Sequence, residues 1–290
     1  MRSKLFVPGT RPELFSKALS GQADIISIDL EDSVHEDLKD EARATAREFL
    51  GSAEVLSSRK LVIVRVNALT SPHFEADVLA VARPGLAMLN LPKPESAGDI
   101  RAAVATIERA EGLNQVARPV AILANIETPK ALRCAAEIGA ADPRVVGLQL
   151  GFADLFEPLG IDRRDVAAVH ATMFAMRLAA GEAGVFAYDG AFANVQDPEG
   201  FRAEAEMARR LGYLGKSCIH PSQVPLANAA FQPSDEEIAL SLRVLAQARQ
   251  ADGGKAGAFL VDGRMIDAPF LRRAQAIVAL ARNLGLAPDE

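Results

Sequence analysis

The segment "DIISIDLEDSVHEDLKDEARATAREFL", residues 24–50, contains one complete strand-to-helix unit. It begins with an apolar run that favours a buried strand and ends in a stretch rich in Ala, Glu, Lys and Arg, which favours a helix. Three carboxylates, Asp29, Glu31 and Asp32, lie between the two. Because close carboxylates repel each other and raise each other's pKa, this cluster indicates a function at the end of the strand.

The same unit recurs along the chain, where short apolar runs alternate with amphipathic helical stretches that often begin with Ser or Asp, both common helix N-caps. The predicted strands are "KLFVP" (4–8), "DIISIDL" (24–30), "KLVIVRVN" (60–67), "LAMLNLP" (86–92), "PVAILANIE" (119–127), "RVVGLQLG" (144–151), "GVFAYDG" (184–190) and "GKSCIHP" (215–221). Eight such units predict an α/β fold, the (β/α)8 TIM barrel. A doubly wound open sheet is the competing fold, but no glycine-rich phosphate-binding fingerprint follows the first strand.

The alternation ends after residue 230, which predicts a barrel carrying the active site, residues 1–230, and a C-terminal segment, residues 231–290. Residues 233–251 predict one helix, and residues 252–257, "DGGKAG", predict a flexible joint. Residues 258–285 predict a short hairpin and a final helix. We expect the C-terminal segment to form a small helical lid.

Composition excludes several classes of protein. A net charge of -6 argues against a nucleic-acid partner, whose phosphates require clustered Lys and Arg. No stretch is long and apolar enough for a membrane span, and Pro8 and Gly9 interrupt the short apolar run near the start, so no signal peptide is expected. Neither cysteine has a partner at a metal-binding spacing, which argues against a disulfide framework. We therefore expect a soluble, cytoplasmic protein.

Side chains alternate in direction along a strand, so every predicted strand has an outward and an inward face. On the sixth strand Val146, Leu148 and Leu150 are predicted to point outward. The polar side chains predicted to point into the barrel are Asp29, Glu31, Arg65, Asn67, Asn90, Asn125, Glu127, Gln149 and Asp189. Barrel enzymes place their active sites at the carboxyl ends of the strands, and the set favours such a site. For any single group, capping of a helix or loop is the alternative.

Glu127 and Asp154 are the candidate metal ligands, because each follows a strand and the two strands are neighbours. Two carboxylates completed by water and substrate oxygens are a common way to hold Mg²⁺. No histidine lies nearby in sequence, which makes a zinc site less suitable. Ion pairs with Lys130 or Arg144 are the structural alternative.

Arg65 is the candidate partner for a substrate carboxylate or thioester oxygen, because its guanidinium is planar and stays charged. Pairing with Asp29 or Glu31 is the alternative and does not exclude that role. After the last predicted strand, His220 is interpreted as an orienting or packed group. Lys216 is interpreted as reaching a phosphate or the substrate, or as pairing with an inward acid.

The chain also resembles a known family, through motifs that occur in family order over nearly the whole sequence. The motifs are "RSKLFVPGTRPELFSKA", "DLEDSVHEDLKDEAR", "VRVNALTS", "LPKPES", "IETPKAL", "GFADL", "GKSCIHPSQV" and "DGRMIDAPFLRRA". Together they are similar to those of the citrate lyase β-subunit-like and malyl-CoA lyase superfamily, of the HpcH/HpaI aldolase type. A single one of these motifs would be weak, whereas the ordered set is specific.

The resemblance implies a carbon–carbon lyase that depends on Mg²⁺, with Mn²⁺ as a substitute. Such an enzyme cleaves a hydroxyacyl-CoA thioester, such as malyl-CoA or citramalyl-CoA, into an acyl-CoA, such as acetyl-CoA, and a 2-oxo acid. Glu127 and Asp154 match the metal ligands of the family, and Arg65 matches its catalytic arginine. Glu31 and Asp32 are then interpreted as acids that accept from metal-bound waters and orient Arg65.

The resemblance also implies where the rest of the substrate binds. Phe6, Arg11 and Lys17 match positions that hold coenzyme A, which supplies the local positive charge that an acidic protein needs for an anionic ligand. Asp267 matches a catalytic acid that the C-terminal lid offers to the site of a neighbouring subunit. A homo-oligomer, either a trimer or a hexamer, is therefore expected.

Three other functions remain open at this point. A citrate lyase β subunit would act on a citryl thioester of a carrier protein. A malyl-CoA thioesterase would use the same metal site but release free malate and CoA without a 2-oxo acid. A non-catalytic subunit would bind CoA or a 2-oxo acid on a vestigial barrel.

Overall fold

The structure is a computed structural model that describes residues 1–250 and 257–287. The chain divides into two compact units, Met1–Phe231 and Gln232–Glu290. The predicted joint at residues 252–257 lies, apart from Gly257, outside the described residues.

The first unit is a barrel. Its strands are β1 (Ser3–Pro8), β2 (Ile25–Asp29), β3 (Leu61–Arg65), β4 (Met88–Leu91), β5 (Ala121–Ile126), β6 (Val145–Leu150), β7 (Phe186–Tyr188) and β8 (Lys216–Cys218). Within the described residues they form one parallel sheet in the order β7-β6-β5-β4-β3-β2-β1-β8. A bridge between Asp189 and Lys216 brings the two ends of the sheet together. The predicted (β/α)8 barrel is confirmed.

Helices follow each strand of the barrel. They are α1 (Phe15–Ser20), α2 (Lys39–Leu50), α3 (Ala53–Ser57), α4 (Phe74–Val81), α5 (Ala97–Asn114), α6 (Pro129–Arg133), α7 (Ala135–Gly139), α8 (Phe152–Phe156), α9 (Val166–Glu182), α10 (Pro198–Arg210) and α11 (Gln223–Ala230). Short 3-10 turns occupy Pro12–Leu14, Glu36–Leu38 and Glu157–Leu159. The expected N-caps are present, because Ser96 and Asp197 accept hydrogen bonds from the first turns of α5 and α10.

The strands carry two separate apolar layers. The outward side chains of β2, β3 and β5 pack beneath the helices in the main core, as predicted. A smaller cluster fills the inside of the barrel; its buried members are Ile25, Ile63, Met88, Leu123 and Tyr188. Because the interior is filled by side chains, the barrel presents a floor rather than a channel.

The prediction that Val146 points outward is wrong. Val146 packs against the inner cluster, because the pairing of β5 with β6 shifts by one residue at this point. Ile122 pairs with Val145, but Leu123 pairs with Gly147. A shift of one residue reverses the face to which a side chain points.

The prediction that Asp189 points into the barrel is also wrong. Tyr188 faces the inner cluster, so the next side chain faces the helices. Asp189 Oδ2 accepts a hydrogen bond of 2.6 Å from Lys216 Nζ, which also pairs with Glu204 of α10. Lys216 therefore pairs with acids of the barrel wall.

The second unit contains α12 (Asp235–Gln250), an antiparallel hairpin of β9 (Phe259–Val261) and β10 (Arg264–Ile266), and α13 (Ala268–Asn283). The hairpin turns through Asp262 and Gly263, which both have positive φ, as its two-residue turn requires. Its apolar core includes Val244, Val261, Ile266 and Ala274. Among the described helices of the whole chain, none combines the length and apolar character needed to cross a bilayer.

Candidate active site

Arg65 lies at the carboxyl end of β3, directly beside Asp29 at the end of β2. Its Nε and Nη2 atoms donate to the two carboxylate oxygens of Asp29 at 2.7 and 2.8 Å, a bidentate ion pair. Burial alone would raise the pKa of Asp29, but the hydrogen bonds and charge of Arg65 hold it below its usual range. The pair fixes the plane of the guanidinium, whose side chain remains 13% exposed.

Glu31 and Asp32 complete the surroundings of Arg65. Nη1 of the arginine lies 3.0 Å from Glu31 Oε2 and 3.1 Å from Asp32 Oδ2. Burial raises the pKa of Glu31 to about 7, and the neighbouring Asp32 adds to the effect while Arg65 opposes it. Both acids contact the arginine that they were expected to orient. Their contact with metal-bound water remains a prediction.

Lys39 fixes the loop that presents these acids. Its buried Nζ donates to the backbone oxygens of Leu30 and Glu31 at 2.8 and 2.7 Å, and to Asn67 Oδ1 at 2.7 Å. The Asn67 amide in turn donates to Asp77 of α4. Asn67 therefore belongs to this support beneath the loop, and the prediction that it lines the barrel interior is wrong.

Lys93 is a charged group at the mouth for which the sequence predicted no role. Its Nζ lies 3.0 Å from Asp154 Oδ1 and 3.2 Å from Glu31 Oε1, so it links the two acids. Burial would lower the pKa of Lys93, but the acids raise it above its usual value. The residue has a left-handed backbone with φ 54°, which is uncommon for a residue other than glycine. A lysine between two prolines just after a strand, "PKP", was the available signal.

Glu127 follows β5 and is 3% exposed. Its Oε1 accepts a hydrogen bond of 3.0 Å from Asn125, whereas its buried Oε2 has no hydrogen-bond partner among the described residues. Burial, together with the carboxylates of Glu31 and Asp154, raises the pKa of Glu127 to about 8. A buried carboxylate without a counter-charge is costly, and a bound cation would relieve that cost.

Asp154 lies in the first turn of α8, and its side chain is 37% exposed beside Lys93. The ion pair is with Lys93 and not with Lys130 or Arg144, which pair with Glu95 and Glu111. Across the described residues, no group of three or more His, Cys, Asp or Glu is arranged to hold a metal alone. Two carboxylates, one with a free oxygen, fit Mg²⁺, which keeps water and substrate oxygens as its other ligands.

Phe6, Arg11 and Lys17 lie on one groove beside the mouth. A cavity of about 660 Å³ runs between the end of β1, α1 and the segment that follows β8, and these three residues are among those that line it. Arg11 and Lys17 are exposed and basic, and the rest of the lining is largely apolar. The Phe6 ring also lies 5.2 Å from the Arg65 guanidinium, which links the groove to the mouth.

Asp267 and His220 are two further residues singled out from the sequence. Asp267 immediately precedes α13 in the second unit, and its shielded Oδ1 lacks a hydrogen-bond partner among the described residues. Its role as an acid remains a prediction. His220 lines the groove, and its Nδ1 lies 2.8 Å from Ser222 Oγ; its role as an orienting or packed group remains a prediction.

A parallel barrel whose carboxyl-end mouth gathers buried acids with perturbed pKa values around an arginine defines a TIM-barrel enzyme. Residues 2–221 match the family model of the HpcH/HpaI aldolase/citrate lyase family. The chain belongs to this family of lyases, so the expected enzyme class is confirmed.

Individual relatives span nearly the whole chain. The L-malyl-CoA/beta-methylmalyl-CoA lyase of Cereibacter sphaeroides is 34% identical over 98% of this chain and 95% of its own. Citrate lyase subunit beta of Leuconostoc mesenteroides subsp. cremoris is 32% identical, over 100% of this chain and 96% of its own. Protein CitE of Mycobacterium tuberculosis, crystallised with magnesium, acetoacetate and coenzyme A, has a TM-score of 0.75 and 34% identity, covering 97% of this chain and 100% of that one.

Proposed function

We propose that this chain is a Mg²⁺-dependent carbon–carbon lyase that cleaves a hydroxyacyl-CoA thioester, such as malyl-CoA or citramalyl-CoA, into an acyl-CoA and a 2-oxo acid. The observation that carries the proposal is Glu127, a buried carboxylate with one free oxygen, beside Asp154 and Arg65 at the barrel mouth. The relatives support it, since one is a malyl-CoA lyase and another was crystallised with magnesium, acetoacetate and coenzyme A.

Glu127 and Asp154 would hold the Mg²⁺, and Mn²⁺ suits the same oxygen ligands. When bound, the ion supplies Lewis-acid chemistry and a template for the oxygens of the 2-oxo-acid half of the substrate. Glu31 and Asp32 would keep Arg65 in place and accept from waters of the ion.

In cleavage, the bond between the hydroxyl-bearing carbon and the thioester α-carbon breaks. Its electron pair passes to the thioester as an enolate, while the hydroxyl gives its proton to solvent water and becomes the carbonyl of the 2-oxo acid. Arg65, fixed by Asp29 and still partly exposed, would stabilise the charge on the thioester oxygen. Asp267 would then give a proton to the α-carbon and complete the acyl-CoA.

The groove lined by Phe6, Arg11 and Lys17 would hold the coenzyme A moiety. Two exposed basic side chains suit its phosphates, and an apolar lining suits its pantetheine chain. The link from Phe6 to Arg65 supports delivery of the thioester to the mouth.

A matrix of acyl-CoA and 2-oxo-acid substrates tests the proposal in the condensation direction. Acetyl-CoA and propionyl-CoA are each incubated with glyoxylate, pyruvate or oxaloacetate in the presence of Mg²⁺, and products are identified by mass. We expect at least one hydroxyacyl-CoA that disappears when Mg²⁺ is chelated and in the Glu127→Gln variant. The absence of product from every combination would contradict the proposal.

The citrate lyase β-subunit function is the second candidate. It is favoured by the match to the subunit from Leuconostoc mesenteroides subsp. cremoris over the whole chain. In that case the thioester would belong to a carrier protein, and the purified chain alone would fail to cleave free CoA thioesters. Cleavage of malyl-CoA or citramalyl-CoA by the isolated chain would select the first function.

The proposal extends to assembly and place of action. The C-terminal segment, residues 231–290, would act as a lid that brings Asp267 to the site of a neighbouring subunit in a trimer or hexamer. Closure of a lid would keep water from the enolate. The two free cysteines suit the reducing cytoplasm, where we expect the enzyme to act.

A further inference from the structure

Lys4 is a lysine enclosed completely in the barrel interior, near the start of β1. Its Nζ donates to Asn90 Oδ1 of β4 at 3.2 Å and to Gln149 Oε1 of β6, and it lies 4.2 Å from the centre of the Phe6 ring. Both hydrogen-bond partners are neutral amide oxygens. Enclosing a lysine head group in this way is costly, so the position calls for an explanation beyond packing.

A directional chain of hydrogen bonds leads from Lys4 to Glu127. Asn90 turns its oxygen toward the lysine, so its Nδ2 donates to Asn125 Oδ1 at 2.5 Å and to the Leu123 backbone oxygen at 3.1 Å. Because Asn125 Oδ1 accepts from Asn90, the Nδ2 of Asn125 faces Glu127 and donates to its Oε1 at 3.0 Å. Because a carbonyl oxygen can only accept, the Leu123 oxygen enforces the same direction.

We propose that Lys4 and Asn90 are positioning residues, which hold the Asn125 amide with its donor toward Glu127 and so leave Glu127 Oε2 free for a divalent cation. A carboxylate that binds a cation is ionised and can only accept, so a reversed chain would set the Asn125 oxygen against Glu127 and turn the carboxylate away. The inference rests on the proposed function in that Glu127 is taken as a metal ligand.

A purely electrostatic role of Lys4 makes the opposite prediction. A charged Lys4 near a cation site would repel the cation, so its removal would tighten metal binding, although burial lowers the pKa of Lys4 well below its usual range. Adding a negative charge at Asn90 should tighten binding as well. The sign of the change in metal affinity therefore separates positioning from simple charge.

The test measures Mg²⁺ affinity of the full chain by titration calorimetry for Asn90→Asp and Lys4→Met. In Asn90→Asp, Lys4 keeps an acceptor, but the oxygen that replaces Nδ2 repels the Leu123 and Asn125 oxygens. We expect roughly tenfold weaker binding, equal to about 1.4 kcal/mol. Lys4→Met should weaken binding about threefold or more, since Asn90 loses its anchor but keeps the Leu123 contact.

Ser217→Ala is the matched control, because Ser217 donates to Gln149 on the branch that leads away from Glu127. It should leave Mg²⁺ affinity unchanged, and thermal unfolding checks that every variant is folded. Unchanged or tighter binding in both Asn90→Asp and Lys4→Met would overturn the inference while leaving the proposed function intact.

An NMR measurement on the metal-free protein tests the inference separately from metal binding. The side-chain amide protons of Asn125, buried and bonded to Glu127, should give a distinct, slowly exchanging NMR pair, which Asn90→Asp shifts and exposes to exchange. Signals that stay the same in this variant would also overturn the inference. If the unaltered chain binds no Mg²⁺, the proposed function is wrong. The NMR signals then still test whether Lys4 and Asn90 position the Asn125 amide.

Discussion

At the scale of single residues, the environment of Glu127 governs the candidate site. Its carboxylate is buried, bonded on one oxygen only among the described residues and surrounded by two further acids, which is the arrangement expected of a cation ligand. Arg65 differs in being already satisfied by Asp29, which makes it a rigid element of the mouth. The two residues therefore suit different tasks, cation binding and charge stabilisation.

Gly151 gives a prediction about the space around Glu127. A Cβ atom at this position would lie 2.3 Å from Glu127 Cγ and 2.5 Å from its Oε1. Gly151→Ala should therefore displace a flexible side chain and weaken Mg²⁺ binding at least about tenfold, or 1.4 kcal/mol. Calorimetric titration measures the loss, and Gly112→Ala, where a Cβ would meet nothing within 4 Å, is the control. Normal affinity in Gly151→Ala would show that Glu127 does not bind the ion.

The raised pKa of Glu127 predicts a pH dependence of metal binding. With a pKa of about 8, Glu127 is protonated at pH 6, so the cation must displace a proton. Mg²⁺ affinity should rise by up to about tenfold per pH unit from pH 6 and level off above pH 8. Titrations in buffers of different ionisation enthalpy measure the released proton. An affinity that does not change between pH 6 and pH 8 would contradict the assignment.

The same shift has a consequence for stability. The carboxyl of Glu127 has a higher pKa in the folded protein than the ordinary 4.5, so the folded state binds more protons between the two values. The metal-free protein should therefore lose stability as the pH rises from about 4.5 to about 8. Mg²⁺ should restore most of that loss at the upper end of the range.

At the scale of elements, side-chain alternation predicted the faces of β2, β3 and β5, because β2 pairs with β3 and β4 pairs with β5 in regular register. It failed at Val146, which lies at a one-residue shift in the strand pairing. At Asp189 alternation holds, because Tyr188 faces the inner cluster, but the face assigned to Asp189 after β7, a strand of only three residues, was wrong. The position of Lys93 was not predicted, because it depends on a left-handed backbone turn that the periodicity of side chains does not indicate. The motifs located the acids of the mouth, whereas their ion-pair partners required the three-dimensional structure.

Lys216 yields a prediction about how the barrel closes. It joins β8 to Asp189 and to Glu204 of α10, and both it and Asp189 are 0% exposed. Lys216→Met would leave the buried Asp189 without its ion-pair partner, while Glu204 keeps Arg163, and should lower the free energy of unfolding by about 3–5 kcal/mol. Lys130→Met, which breaks an exposed pair with Glu95, should cost less than about 1 kcal/mol. Denaturant unfolding measures both, and equal effects would contradict the role of Lys216.

At the scale of the whole molecule, the barrel and the C-terminal segment carry different parts of the proposed chemistry. Glu127, Asp154 and Arg65 belong to the first unit, and Asp267 belongs to the second. The family resemblance assigned these roles across the length of the chain, because its motifs run through both units. The pairing of each Asp267 with a barrel depends on how the subunits assemble. The residue pattern of a single sequence does not predict that pairing.

Subunit mixing tests whether the lid is shared. Glu127→Gln and Asp267→Asn are each expected to be inactive alone, since one lacks a metal ligand and the other an acid. If the lid serves a neighbouring barrel, equal mixing should restore about a quarter of the activity, the share of sites that combine two unaltered parts. A mixture that stays inactive after subunit exchange is verified by mass would place Asp267 within its own subunit's site.

The most direct test of the central claim follows malyl-CoA and citramalyl-CoA with the purified chain. Released 2-oxo acid is trapped as its hydrazone while free CoA is measured in the same sample. We expect a 2-oxo acid and an acyl-CoA in equal amounts, no free CoA, and loss of both products on chelation of Mg²⁺ and in Glu127→Gln. Free CoA with the intact hydroxy acid, or a rate that is unaffected by Glu127→Gln, would contradict the account.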